Sequence, residues 1–94
     1  MDMTKYKNNM ILLQPNEVDT ILIMMDEDSN TRQDRPIPFL KLYARVAKAC
    51  ENDVALFIGS FEVEILRDFI ESFEDISVQE ADILCRLREF NLLD

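Results

Sequence analysis

Two stretches of this chain repeat one another at an offset of 45 residues, and the repeat constrains the fold more than any other feature. Ile11-Leu12-Leu13 lies over Leu56-Phe57-Ile58, and Glu17-Val18-Asp19 over Glu62-Val63-Glu64. Further on, Ile21 lies over Leu66 and Met24-Met25-Asp26 over Phe69-Ile70-Glu71. Each copy starts with a short apolar run of strand character and continues at helical periodicity. Two unrelated amphipathic units that both start from a strand would also look alike. A true duplication would make the two short strands natural partners across a pseudo-two-fold axis. The expected fold is mainly α: four amphipathic helices in two helix–helix units, each preceded by a short strand.

The 94 residues suffice for one core and are too few for two, so a single domain is expected. It comprises a polar lead-in over 1–9, a first strand–helix–helix unit over 10–50 and a second over 54–90. Met10–Leu13 reads as the first strand. Gln14-Pro15-Asn16-Glu17 then reads as a helix start, because proline tolerates the first turn and Glu17 can face its open amides. That helix is expected to reach about Asp28, with Val18, Ile21, Leu22 and Met25 as its core stripe and Ile23 outside it. Ser29 to Pro36 has no apolar side chain and reads as a loop.

In the second helix, which has Pro38 in its first turn, Phe39, Leu42, Tyr43, Val46 and Cys50 fall on one face and Lys41, Arg45 and Lys48 on the other. After a turn at Glu51-Asn52-Asp53, Val54 to Ile58 reads as a strand closed by Gly59-Ser60. Val63, Leu66, Phe69, Ile70 and Phe73 are the inner face expected for the third helix. The fourth starts at a capping box, Ser77 with Glu80, with Ile76 and Ala81 as its hydrophobic staple and Ile83, Leu84, Leu87 and Phe90 as its apolar face. The tail Asn91 to Asp94 is expected to fray unless Leu92 and Leu93 pack down.

No apolar run is long enough to cross a bilayer, and Met1 to Asn9 does not resemble a secretory signal, so a cytoplasmic protein is expected. Cys50 and Cys85 each sit among apolar residues of helical segments and read as buried free thiols. Histidine is absent, which removes imidazole catalysis, His-ligated zinc and His-activated nucleophiles. Gly59 is the single glycine, too few for a phosphate-binding loop. Asp26-Glu27-Asp28-Ser29-Asn30 opens like a calcium-binding EF-hand, but Thr31 stands where glycine is needed and Ile37 where the bidentate glutamate belongs. Neither a metal nor a cofactor is expected, and the chain is read as a non-enzyme.

Charge is distributed unevenly. Residues 1–50 hold seven Lys/Arg and seven Asp/Glu, whereas residues 51–94 hold three against twelve and carry the entire excess of −9. Such a field repels nucleic acid and attracts basic protein surfaces. On the third helix Glu64, Asp68, Glu71 and Asp75 are expected to form one narrow strip opposite the core. Like charges one turn apart cost an isolated helix about 0.2–0.5 kcal/mol per pair, so local stability does not favour them. They read either as a solvated, solubilising face or as a binding surface.

Two functions follow from different features. In the leading one, this acidic helical protein binds a basic partner protein through Glu64, Asp68, Glu71 and Asp75. One version is a nucleic-acid mimic, an inhibitor of a nucleic-acid-handling protein of the phage or mobile-element accessory type. In the alternative, the chain is an assembly module that forms a homodimer through apolar residues off the core stripes, Ile23, Met24, Phe61 and Ile65, with Leu92 and Leu93. The basic stripe of Lys41, Arg45 and Lys48 lacks interleaved aromatic residues, so nucleic acid is not an expected partner, and neither is a membrane.

Overall fold

A computed structural model describes residues 10–92, with side chains described through Phe90. The polar lead-in and the tail side chains, Leu92 and Leu93 among them, lie outside the described residues. The protein is mainly helical: β1 (Met10–Leu13), α1 (Pro15–Thr31), α2 (Ile37–Glu51), β2 (Leu56–Gly59), α3 (Ser60–Glu71) and α4 (Val78–Leu92) follow in order. The two strands pair in one antiparallel sheet. The order strand, helix, helix therefore occurs twice among the described residues.

The offset of 45 survives in three dimensions at the first helix of each half. α1 starts at Pro15 and α3 at Ser60. The buried residues of α1 are Val18, Ile21, Met24 and Met25, and those of α3 are Val63, Leu66, Phe69 and Ile70, position for position. Their helix starts match as well. The Glu17 carboxylate accepts from the Gln14 backbone N–H at 2.8 Å, and the Glu62 carboxylate from the Gly59 N–H at 3.2 Å. Each closes one amide that the first turn of a helix leaves open. At Gly59 there is no side chain to return the bond, so this cap has only the glutamate half.

Two compact units emerge, and they do not coincide with the sequence halves. One is Leu13–Leu56; the other joins Phe57 and the described residues after it to Met10, Ile11 and Leu12. A two-stranded sheet satisfies backbone groups only when both strands are present, which ties β1 to β2. Arg86 of α4 adds a second tie, donating from Nη2 to the Leu12 carbonyl at 2.8 Å.

Within Leu13–Leu56, α1 packs on α2. The buried arc of α1 is turned toward Met24 (2% exposed) and away from Leu22, which is half-buried. Both residues flank the Val18–Ile21–Met25 stripe, on opposite sides at about 100° per residue. Met24 is therefore a core residue and cannot serve self-association. α1 also extends three residues beyond the expected end at Asp28. The Ser29 hydroxyl donates to the Asp26 carbonyl at 2.8 Å and the Thr31 hydroxyl to the Asp28 carbonyl at 3.1 Å, so polar residues read as loop close the last turn. On α2, Phe39, Leu42, Val46 and Ala49 are buried while Tyr43 and Cys50 are half-buried. Lys41, Arg45 and Lys48 face solvent, as expected. Asp53, at φ 54°, turns the chain out of the helix, and Val54 and Ala55 precede the strand rather than joining it.

In the other unit α3 packs on α4, burying Ile83, Leu84 and Leu87, with Phe90 half-buried. The capping box of α4 is complete. The Ser77 N–H donates to the Glu80 carboxylate at 2.8 Å and the Glu80 N–H to the Ser77 hydroxyl at 3.2 Å. Ala81, the expected staple partner of Ile76, is exposed. Both cysteines are free, but neither is buried: Cys50 is half-buried and Cys85 exposed, because their positions fall at the edge of and off the packed arcs.

Candidate interaction surface

Helix α3 presents Glu64, Asp68 and Glu71 to solvent at spacings of four and three, on one face. Asp75 is exposed but does not belong to that strip. The helix ends at Glu71, where the Ser72 N–H turns back to the carbonyls of Asp68 and Phe69 and the Phe73 N–H to that of Ile70. Phe73, expected on the helix, leaves it and sets its ring edge-on against Phe69, with centroids 5.1 Å apart at 83°. α3 therefore stops four residues short of Asp75.

The strip is also partly compensated. Arg88 of α4 donates from Nε at 3.0 Å and Nη2 at 2.7 Å to the Glu71 carboxylate, and Arg67 meets Asp68 at 3.4 Å. Both pairs are exposed enough for water to screen them. Glu64 has no cationic partner among the described residues, and neither do Glu74 and Asp75 in the turn after α3. The surface therefore combines one uncompensated carboxylate on the helix, two weakly paired ones and two more in the following turn.

Phe61, from the self-association set, is the apolar member of the same face. It is 63% exposed and stands three residues before Glu64 and seven before Asp68. Ile65, one turn after Phe61, is half-buried. Ile23, on α1 in the other unit, is 59% exposed. Exposed aromatic rings beside charged groups are common anchors of protein interfaces.

The Leu13–Leu56 unit carries a surface of opposite character that periodicity did not disclose. Arg45 and Lys48 rim a shallow, open depression of about 250 Å³ whose remaining wall is formed largely by Ala49, Val54, Ala55 and Leu56. It arises where the end of α2, the Asp53 turn and the approach to β2 meet, so residues of three local structures line it.

The calcium-like run proves to be a packing site. Asp28 accepts from Arg35 Nε at 3.0 Å and Nη2 at 2.8 Å, and Arg35 also lies over the Phe39 ring, 4.8 Å from its centroid. The Tyr43 hydroxyl donates to Asp26 and contacts the Ser29 hydroxyl at 3.4 Å. The Asp26 bond holds the Tyr43 phenol above its ordinary pKa of 10.0. Among the described residues no three acidic or sulfur groups converge as metal ligands, and no helix is long and apolar enough to cross a membrane.

No protein-family model matches this chain, and neither curated proteins nor solved structures contain a match.

Proposed function

We propose that the protein is a non-enzymatic binding module whose α3 face, Phe61, Glu64, Asp68 and Glu71 with Asp75 just beyond, engages a basic surface on another protein. The observation that carries this reading is the exposed Phe61 ring beside the uncompensated Glu64 carboxylate on one helical stripe. Carboxylates steer an approaching basic partner, and the ring provides apolar area to bury once it arrives. A nucleic-acid-handling protein suits such a surface, because carboxylates one helical turn apart can stand where phosphates would, and the module would then act as an inhibitor. A cytoplasmic accessory protein of a phage or mobile element is the setting in which this activity is expected.

The test is charge reversal at Glu64, Asp68, Glu71 and Asp75, all to lysine. Exposed substitutions away from caps and core usually change stability by under about 0.5 kcal/mol each, so the fold is expected to persist. Basic proteins captured by tagged wild-type protein are expected to be lost from the variant. Association of the wild-type complex is expected to slow as salt shortens the Debye length from about 10 Å at 0.1 M to about 3 Å at 1 M. A folded variant that captures the same partner with unchanged affinity and salt response overturns the proposal.

A further inference from the structure

The two surfaces described above are complementary in charge and in shape. α3 carries a protruding aromatic ring followed by two carboxylates one turn apart; the Leu13–Leu56 unit carries an apolar hollow rimmed by two cations. We propose that the depression rimmed by Arg45 and Lys48 is a docking site for the Phe61–Asp68 stripe of α3 from a second copy of this chain. The inference rests on α3 being a binding surface, as above, and names the copy as its partner.

Three quantities support the fit. The hollow offers about 250 Å³. Its open, largely apolar wall offers the Phe61 ring a surface to lie against. Glu64 and Asp68 are separated by about 6 Å along the helix axis, at 1.5 Å per residue. On α2, Lys41 and Arg45 have the same four-residue spacing and Lys48 continues the row, so carboxylates and cations can meet in register. Sign favours the pairing too, since the acidic excess lies wholly in residues 51–94 whereas all three lysines and arginines of the α2 face lie before them. Because the two surfaces are unlike, the contact is heterologous and each side can be altered separately.

Sedimentation equilibrium at low salt tests the inference. Wild-type protein is expected to show a mass above that of the monomer at high concentration, falling as salt rises. Lys48→Glu with Arg45→Glu on one side, or Glu64→Lys with Asp68→Lys on the other, is expected to weaken self-association at least tenfold. Mixing the two variants is expected to restore it, since each retains one native surface and the reversed pair would face only itself. Phe61→Ser, which leaves every charge in place, is expected to weaken it as well, with circular dichroism melts confirming that each variant folds. A wild-type chain that stays monomeric, or self-association that survives both reversals in folded protein, overturns the inference. The two proposals separate cleanly: the Arg45/Lys48 reversal is expected to leave capture of a basic partner protein by α3 intact, whereas the α3 reversal removes both.

Discussion

Glu17 and Glu62 stand at the same place in the two halves, each turning its carboxylate back onto the backbone N–H three residues earlier, of Gln14 and of Gly59. Four buried residues then follow each glutamate at identical intervals. Two helices that merely shared an amphipathic period would match in apolar spacing, but not also in the residue that caps them. The second helices repeat less closely, since α2 begins 22 residues after the start of α1 and α4 only 18 after the start of α3. About one helical turn separates the two intervals, which the longer α1 accounts for.

Equal caps predict equal costs. Glu17→Ala and Glu62→Ala are each expected to destabilise the protein by about 0.5–1 kcal/mol, within the range of measured cap deletions. Ser77→Ala, which opens the complete box of α4, is expected to cost about 1 kcal/mol. Urea denaturation of the three variants checks the ranking; a silent Glu62→Ala would mean that the Gly59 amide needs no protein partner.

Adjacent residues on α1 separate surface from core. Ile23→Glu is expected to change stability by under about 0.5 kcal/mol, because the side chain lies in solvent. Met24→Glu would put a carboxylate into a site 2% exposed and is expected to cost more than about 3 kcal/mol or to abolish folding. Thermal melts of both variants decide, and equal effects would contradict the burial of Met24.

The Arg35–Asp28 fork joins the end of α1 to the start of α2, with the two side chains 18% and 9% exposed. Asp28 raises the Arg35 pKa by hydrogen bonding, so the guanidinium stays charged throughout the accessible range. Arg35→Ala is expected to cost about 1.5–3 kcal/mol, because it strands a charged acceptor and uncovers the Phe39 ring. Arg35→Lys is expected to recover only part of this, since an ammonium cannot fork a carboxylate. Chemical denaturation that shows alanine and lysine equally tolerated would reduce the fork to a surface contact.

The Cys50 thiol donates to Asp19 at 2.9 Å, and this bond holds its pKa above the ordinary 9.0. A raised folded-state value means that the contact is fully present below the unfolded pKa and is lost as pH rises through the folded one. In a Cys85→Ser background, alkylation of Cys50 is expected to be slow at pH 8. Asp19→Asn is expected to speed it and to move the pH profile to lower values, since thiolate is the reacting form. A profile indifferent to Asp19 would show that the bond does not persist in solution.

Features written within one helical turn were legible in the chain. Ser77 and Glu80 are three residues apart, as are Gln14 and Glu17, so both caps could be read directly and both form. Val63, Leu66, Phe69 and Ile70 recur at helical spacing, and all four are buried. Their partner helix was not legible in the same way. Nothing in Arg88 announces that it will reach Glu71, and nothing in Arg86 that it will hold the Leu12 carbonyl, because those contacts depend on how helices separated by many residues are placed.

By itself, then, the sequence determined the order of strands and helices, their starts, the apolar side of each and the uneven charge. These depend on periodicity and on bonds that close within three or four residues, which no distant part of the chain can alter. Tertiary structure decided which edge of each apolar face is buried and which distant side chains meet. Leu22 and Met24 flank one stripe on opposite sides, and helical periodicity alone does not choose between them; the folded chain buries Met24 and leaves Leu22 half-buried. Likewise Arg86 reaches the Leu12 carbonyl and Arg88 the Glu71 carboxylate only because the folded chain brings groups far apart in sequence within hydrogen-bond reach.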